Sequence, residues 1–294
     1  MVWLHVRQRF DRLVGDLQLP DPQKSDGYTK AANIGKVLQK AYWGTDTDPP
    51  ILLVGSWGKK TQIRPPRDLD MFFMLPWSEK SRFDQRTGNV QSQLLQEVKS
   101  VLDDGYRQTV IRGDGQVVVV AFNTITVEIV PVFLLNNDQF IMPDTNGGGT
   151  WKTVDPIAQI NKIDRSDNAM NGNVRALSQI LKLWKHEKNV PIKSFIIELL
   201  VAEFLEGYGY GNGSTFWYDY FIRDFFEFLI GKANKSMIIP GTYEFYNLGD
   251  DWLSRAQTAY GYAVEACKLE IDDYRILAGE EWQKIFGTRV PTYW

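Results

Sequence analysis

Apolar residues recur at helical spacing along residues 3–17 and again along 26–43, where Asp26 stands in the place of an N-cap. The pattern then shortens to strand length at 51–54, breaks in a polar loop at 55–67, and returns as an apolar strand at 68–75. An amphipathic helix is expected over "NVQSQLLQEVKSVLDD". Three β-rich runs follow, "RQTVIR", "QVVVVAF" and "TITVEIVPVF", with Gly113-Asp114-Gly115 turning between the first two. Residues 136–156 read as a turn-rich connector. Beyond it the helical period dominates, at 171–188, 191–206, 216–233, 250–268 and 271–286, with the Gly-rich "EGYGYGNGS" as a loop. The expected class is α+β: a mixed-sheet lobe with N-terminal helices over 1–150, an all-helical lobe over 151–294, and a site in the cleft between them.

Composition narrows the class of partner. The 294 residues are 44% hydrophobic and 23% charged with a net charge of −3, which tells against a surface that grips long nucleic acid but leaves room for a local basic site. The one cysteine, Cys267, permits no intramolecular disulfide and suits a reducing compartment; with only two histidines there is no Cys/His constellation for zinc. His5 and His186 read as packing or surface residues. Charges break the N-terminal segment, so it does not read as a signal peptide, and no apolar run reaches the ~18 residues of a membrane helix. A cytoplasmic protein without membrane association is expected.

The chemistry lies in "LLVGSWGKKTQIRPPRDLDMFFML", residues 52–75. Alternation along a strand puts Asp68 and Asp70 on one face, with Cα atoms about 7 Å apart, and Leu69, Met71 and Phe73 on the other. Asp is depleted in strands, and two adjacent carboxylates repel unless a cation or water lies between them. A D-x-D pair alone could simply end a solvated strand. Glu128, between Val127 and Ile129, is another acid in an apolar strand; should the two strands be neighbours, three carboxylates could hold two divalent ions. Gly55-Ser56 precedes Asp68 closely, and glycine lets backbone N–H groups approach a phosphate. No Walker motif is present. Lys59, Lys60, Arg64 and Arg67 make the loop cationic.

These residues resemble the DNA-polymerase-β-like nucleotidyltransferases, whose signature is Gly-Ser, a spacer, an acid-x-Asp pair on one strand and a third acid on a later one. Glu128 three residues before Pro131, together with "LKLWKHEKNVPIKSFIIELL", resembles the 2′-5′ oligoadenylate synthases and cyclic GMP–AMP synthase. Order, length and a helical second lobe are similar to the bacterial CD-NTases of CBASS anti-phage systems. The resemblance implies that Gly55 and Ser56 grip the donor triphosphate, and that Asp68, Asp70 and Glu128 are catalytic and bind two Mg²⁺ ions, or Mn²⁺. It implies further that Lys182 or Lys185 and Ser194 contact phosphate and that Phe195 stacks on a base. Many relatives have Asp where this chain has Glu128.

The implied reaction makes a cyclic di- or trinucleotide second messenger from NTPs (ATP and/or GTP, with pyrimidine NTPs open), releasing pyrophosphate. A regulatory protein partner is compatible with it, and activation by double-stranded DNA is not expected because the zinc-containing insertion has no counterpart. Two alternatives stay open: a nucleotidyltransferase extending RNA 3′ ends or making linear oligoadenylate, and a non-catalytic nucleotide-binding regulator. Trp217, Tyr218 and Tyr220 lie at helical spacing and read mostly as core.

Overall fold

The computed structural model describes residues 4–242 and 244–293. Trp3, the first residue of the helix expected at 3–17, lies outside them.

Five strands make the main path of the sheet: β1 (Ile51–Leu53), β2 (Asp68–Met74), β5 (Thr126–Leu134), β4 (Val117–Ala121) and β3 (Val110–Asp114), in that order across it. β2 and β5 run parallel; the other pairs are antiparallel. One face carries Leu69, Met71, Phe73, Val127 and Ile129 into a core shared with α2 (Asp21–Trp43) and α5 (Val90–Gly105). The opposite face has a smaller core at Phe72, Val130 and Val132, with the acids at the strands' N-terminal ends.

Helix α2 begins five residues earlier than its expected Asp26 cap. Pro22 stands in its first turn, where the missing N–H would be unsatisfied anyway, and Asp26 instead pairs with Lys30 and Thr124. The 136–156 connector holds a hairpin, β6 (Phe140–Asp144) with β7 (Thr150–Val154), attached to the end of β5. Its strands are hidden in the sequence by Pro143 and by Gly147, Gly148 and Gly149, all at positive φ. Helices α4 (Trp77–Asp84) and α6 (Pro156–Ala169) have no counterpart in the expected pattern; α6 starts on an Asp155 cap but buries only one large apolar residue, Ile163.

The helical lobe comprises α7 (Asn173–Glu187), α8 (Ser194–Gly207), α9 (Tyr218–Ile230), α10 (Leu253–Ile271) and α11 (Arg275–Phe286), with a short hairpin of β8 (Ser236–Ile238) and β9 (Phe245–Asn247). Helix α1 (Leu4–Leu17) opens the chain yet packs here: Val6, Phe10, Leu13 and Leu17 are fully buried in the helical core. The apolar stripe of α1, grouped with the sheet lobe by the expected division at residue 150, is covered by α7, α9 and their neighbours. No helix of the described residues is long and apolar enough to cross a membrane.

Candidate active site

The parallel register of β2 and β5 sets Asp70 directly opposite Glu128 and Asp68 opposite Thr126. Val127 and Ile129 point into the core with Leu69 and Met71, so Glu128 shares the outward face of Asp68 and Asp70. Burial first, then the charges of Asp68 and Glu128, push the Asp70 carboxyl up to about 7, against the pull of Lys59 and Lys182. Glu128 is also pushed up, by burial and then by Asp68 and Asp114. Among the described residues no three acidic, histidine or cysteine side chains close to metal-ligating distance. The carboxylates are nonetheless hard oxygen donors crowded without enough positive charge, a set whose cost a divalent cation would relieve.

Gly55 opens the short helix α3 (Gly55–Lys59) at φ +57, with its α-carbon so close to β2 that a Cβ would fall 1.9 Å from Asp70 Oδ2. Only glycine fits there, both for its dihedral and for that space. Helix α3 is held to β2 by Val54 N–H donating to Asp70 O at 3.0 Å and Trp57 Nε1 donating to Asp68 O at 2.9 Å. Ser56 is thereby carried beside the acids.

A cleft of about 400 Å³ runs from these residues to the helical lobe. Gly55, Ser56, Asp68 and Asp70 line one wall, and Lys182, Lys185, Ser194, Phe195 and Glu198 the other. Glu128 stands one strand away from Asp70, outside this lining. Lys185 Nζ donates to Ser194 Oγ at 3.0 Å, so the two expected phosphate contacts are neighbours. Phe195 packs edge-on against Tyr246, with Lys193 Nζ 5.9 Å and 5.4 Å from the two ring centroids.

The structure also shows the surroundings of the lysines, histidines and aromatics that the sequence singled out. Lys182, expected near phosphate, is buried and spends its ammonium on Glu198 and on Thr61, whose carbonyl and hydroxyl oxygens accept at 3.0 and 2.8 Å. Lys59 likewise turns inward onto Glu198, and Arg67 lines the cleft beside it. His186 belongs to the cleft; burial and then Arg67 and Lys185 hold its imidazole at about 4, hence neutral at pH 7. His5 is a packing residue, buried against Glu270. Of the aromatics read as core, Tyr218 is buried but Trp217 is 44% exposed. Glu198 and Thr61 were not anticipated; an acid inside the most apolar helix, "FIIELLVAEFL", was the available signal for Glu198.

Comparison with known proteins decides the family. Residues 4–167, more than half of the chain, match the model of the Second Messenger Oligonucleotide or Dinucleotide Synthetase (SMODS) domain. The chain belongs to the SMODS family. A probable cyclic nucleotide synthase of Bacillus cereus (strain VD146) is 24% identical, over 90% of this chain and 89% of that protein. Among solved structures, CdnC of Escherichia coli MS115-1 with ATP aligns with TM-score 0.72 at 18% identity, covering 97% of this chain and 98% of that one. Its complex with HORMA-deltaN aligns at 0.73. Escherichia coli DncV in a 3′-deoxy GTP-bound form aligns at 0.73 and 13% identity, covering 95% of this chain and 94% of that one. This SMODS protein thus has the CD-NTase fold and is a bacterial CD-NTase, a nucleotidyltransferase of the cyclic nucleotide synthase type.

Proposed function

We propose that this SMODS protein joins NTPs into a cyclic di- or trinucleotide second messenger by two-metal phosphoryl transfer, as a signal in anti-phage defence. The reading is carried by the shared face of Asp68, Asp70 and Glu128 beside the glycine-cradled Ser56. Asp68, Asp70 and Glu128 would hold two magnesium ions, with manganese as a substitute. Those ions supply Lewis acidity at the α-phosphate and offset the charge of the departing pyrophosphate.

The chain's own residues bind and orient. Ser56 and the backbone at Gly55 take donor phosphate oxygens from one wall; Lys185 and Ser194 take them from the other. Phe195 offers a base a stacking face, worth about 1–3 kcal/mol but tolerant of base identity. Glu128, whose carboxyl is held above its ordinary range, accepts the proton of the attacking ribose hydroxyl. The hydroxyl oxygen forms its bond to Pα as the bond from Pα to the pyrophosphate oxygen breaks. A second such step closes the ring. The CdnC relative is known in complex with a HORMA protein, which supports a regulatory protein partner for this chain too.

The test is purified protein with Mg²⁺ or Mn²⁺ and labelled NTPs, followed by phosphatase treatment and mass analysis. A small phosphatase-resistant product is expected. Extension of added RNA alone, only linear products, or nucleotide binding without turnover would overturn the cyclic-synthase reading.

A further inference from the structure

Lys59, Glu198 and Lys182 form a buried charge triad that the reaction above leaves without a task. Their exposures are 4%, 1% and 3%, although all three touch the cleft. Each carboxylate oxygen of Glu198 faces one lysine, Oε1 with Lys182 and Oε2 with Lys59. The remaining donors of Lys182 go to Thr61 O and Oγ1, and the Thr61 hydroxyl donates back to Glu198. Thr61 is itself fully buried.

A carboxylate in the wall of a pocket for a polyphosphate opposes binding by Coulomb repulsion. Two lysines without it would attract the substrate more strongly, so affinity does not account for Glu198. Its placement does. Lys59 ends α3, the helix that carries Ser56, whereas Lys182 and Glu198 sit on α7 and α8, which carry Lys185 and Ser194. The triad ties the two walls of the cleft together, and a buried ion pair is specific in distance and direction even where it adds little net stability.

We propose that Glu198 is a positioning residue: through Lys59 and Lys182 it sets the spacing between Ser56 and the Lys185–Ser194 pair, so that one triphosphate meets both walls with its α-phosphate in line for attack. The proposal rests on the synthase reading above. Near-attack geometry is steep in distance, and a displacement of about 1 Å costs on the order of 10²-fold in rate.

Glu198→Gln is therefore expected to lower kcat by about 10²-fold while the KM for NTP stays level or falls, because an anion has left the pocket. Glu198→Asp keeps the charge but is one methylene too short to span both lysines, and its kcat should fall in between. Because Glu198→Gln can unfold the protein, the triple variant Lys59→Met, Lys182→Met, Glu198→Leu supplies an apolar replacement that keeps the fold. It should melt near the wild-type temperature and still lack the kcat. Wild-type kcat in Glu198→Gln, or its recovery in the triple variant, would sink the proposal. Hydrogen exchange reads the same inference without turnover. In Glu198→Gln the amides of α3 and the first turn of α8 should exchange about tenfold faster, with α5 unchanged; equal rates in α3 would overturn the positioning role. If wild type makes no product but α3 loosens as stated, the synthase reading fails and the interlobe tie stands.

Discussion

On the sheet face beside the cleft Asp68, Asp70 and Glu128 bring together three carboxylates; in the cleft wall a single carboxylate, Glu198, sits between two ammoniums. Asp68 is exposed and Asp70 and Glu128 are half-buried, whereas Glu198 and its lysines are buried, and the charge balance of the two groups is opposite. Burial and then the charges of its neighbouring acids drive Asp70 up to about 7. Burial would also raise Glu198, yet Lys182 and Lys59 hold it down at about 2. A cluster that costs stability without a ligand is poised to take one, whereas a satisfied cluster is suited to fixing distances. In this SMODS protein the unsatisfied group lies on the sheet and the satisfied one joins the lobes.

The contrast can be broken most severely at the acids. Asp68→Asn with Asp70→Asn removes the ligands of both proposed ions and should cost several kcal/mol of transition-state stabilisation, about 10³-fold or more in turnover. Product formation from labelled NTPs checks it, with circular dichroism showing that the fold survives. Full activity in the double variant would end the metal assignment.

Next in size is the other cluster. Glu198→Ala leaves two buried lysines unpaired and should destabilise the chain by about 3–5 kcal/mol in urea unfolding. A change under about 1 kcal/mol would mean that the triad is solvated rather than buried.

The smallest effect is a difference in pH response. Asp70 titrates near 3.8 unfolded and about 7 folded, so the folded state holds the proton longer and stability contributed by this site falls as pH rises from about 4 to about 7. Glu198, at 4.5 unfolded and about 2 folded, has the opposite sign: its contribution is full above about 4.5 and is lost as pH falls through about 2. Without divalent ions Asp70→Asn should therefore be more stable than wild type at pH 7, by about 1–2 kcal/mol once cleft water screens the charges. The gain should vanish near pH 4, and Mg²⁺ with NTP should close the gap. A gain that does not vary with pH would trace to packing instead.

Most of the helices and strands were legible because their apolar period is strong, as in 89–104, 173–187 and 253–271. The hairpin at 140–154 and helix α6 were not, since prolines, glycines and polar residues blur their period and tertiary pairing supplies their stability. The candidate acids could be read for a related reason: Asp68, Asp70 and Glu128 are charges in strands that otherwise ask for apolar side chains, and such conflicts stand out along a chain. Lys182 and Lys59 gave no such signal, because a lysine on a helix looks the same whether it meets water or a buried glutamate.

By itself, then, the order of residues determined the local elements, the face shared by Asp68 and Asp70, and the glycine before Ser56, all of which depend on neighbours a few positions away. Only the tertiary structure decided that Asp70 faces Glu128, that α1 joins the helical core, and that Glu198 lies between Lys59 and Lys182. Those partners are between 16 and more than 130 residues apart or lie on different lobes, so long-range packing sets the pairing and the local pattern carries no trace of it.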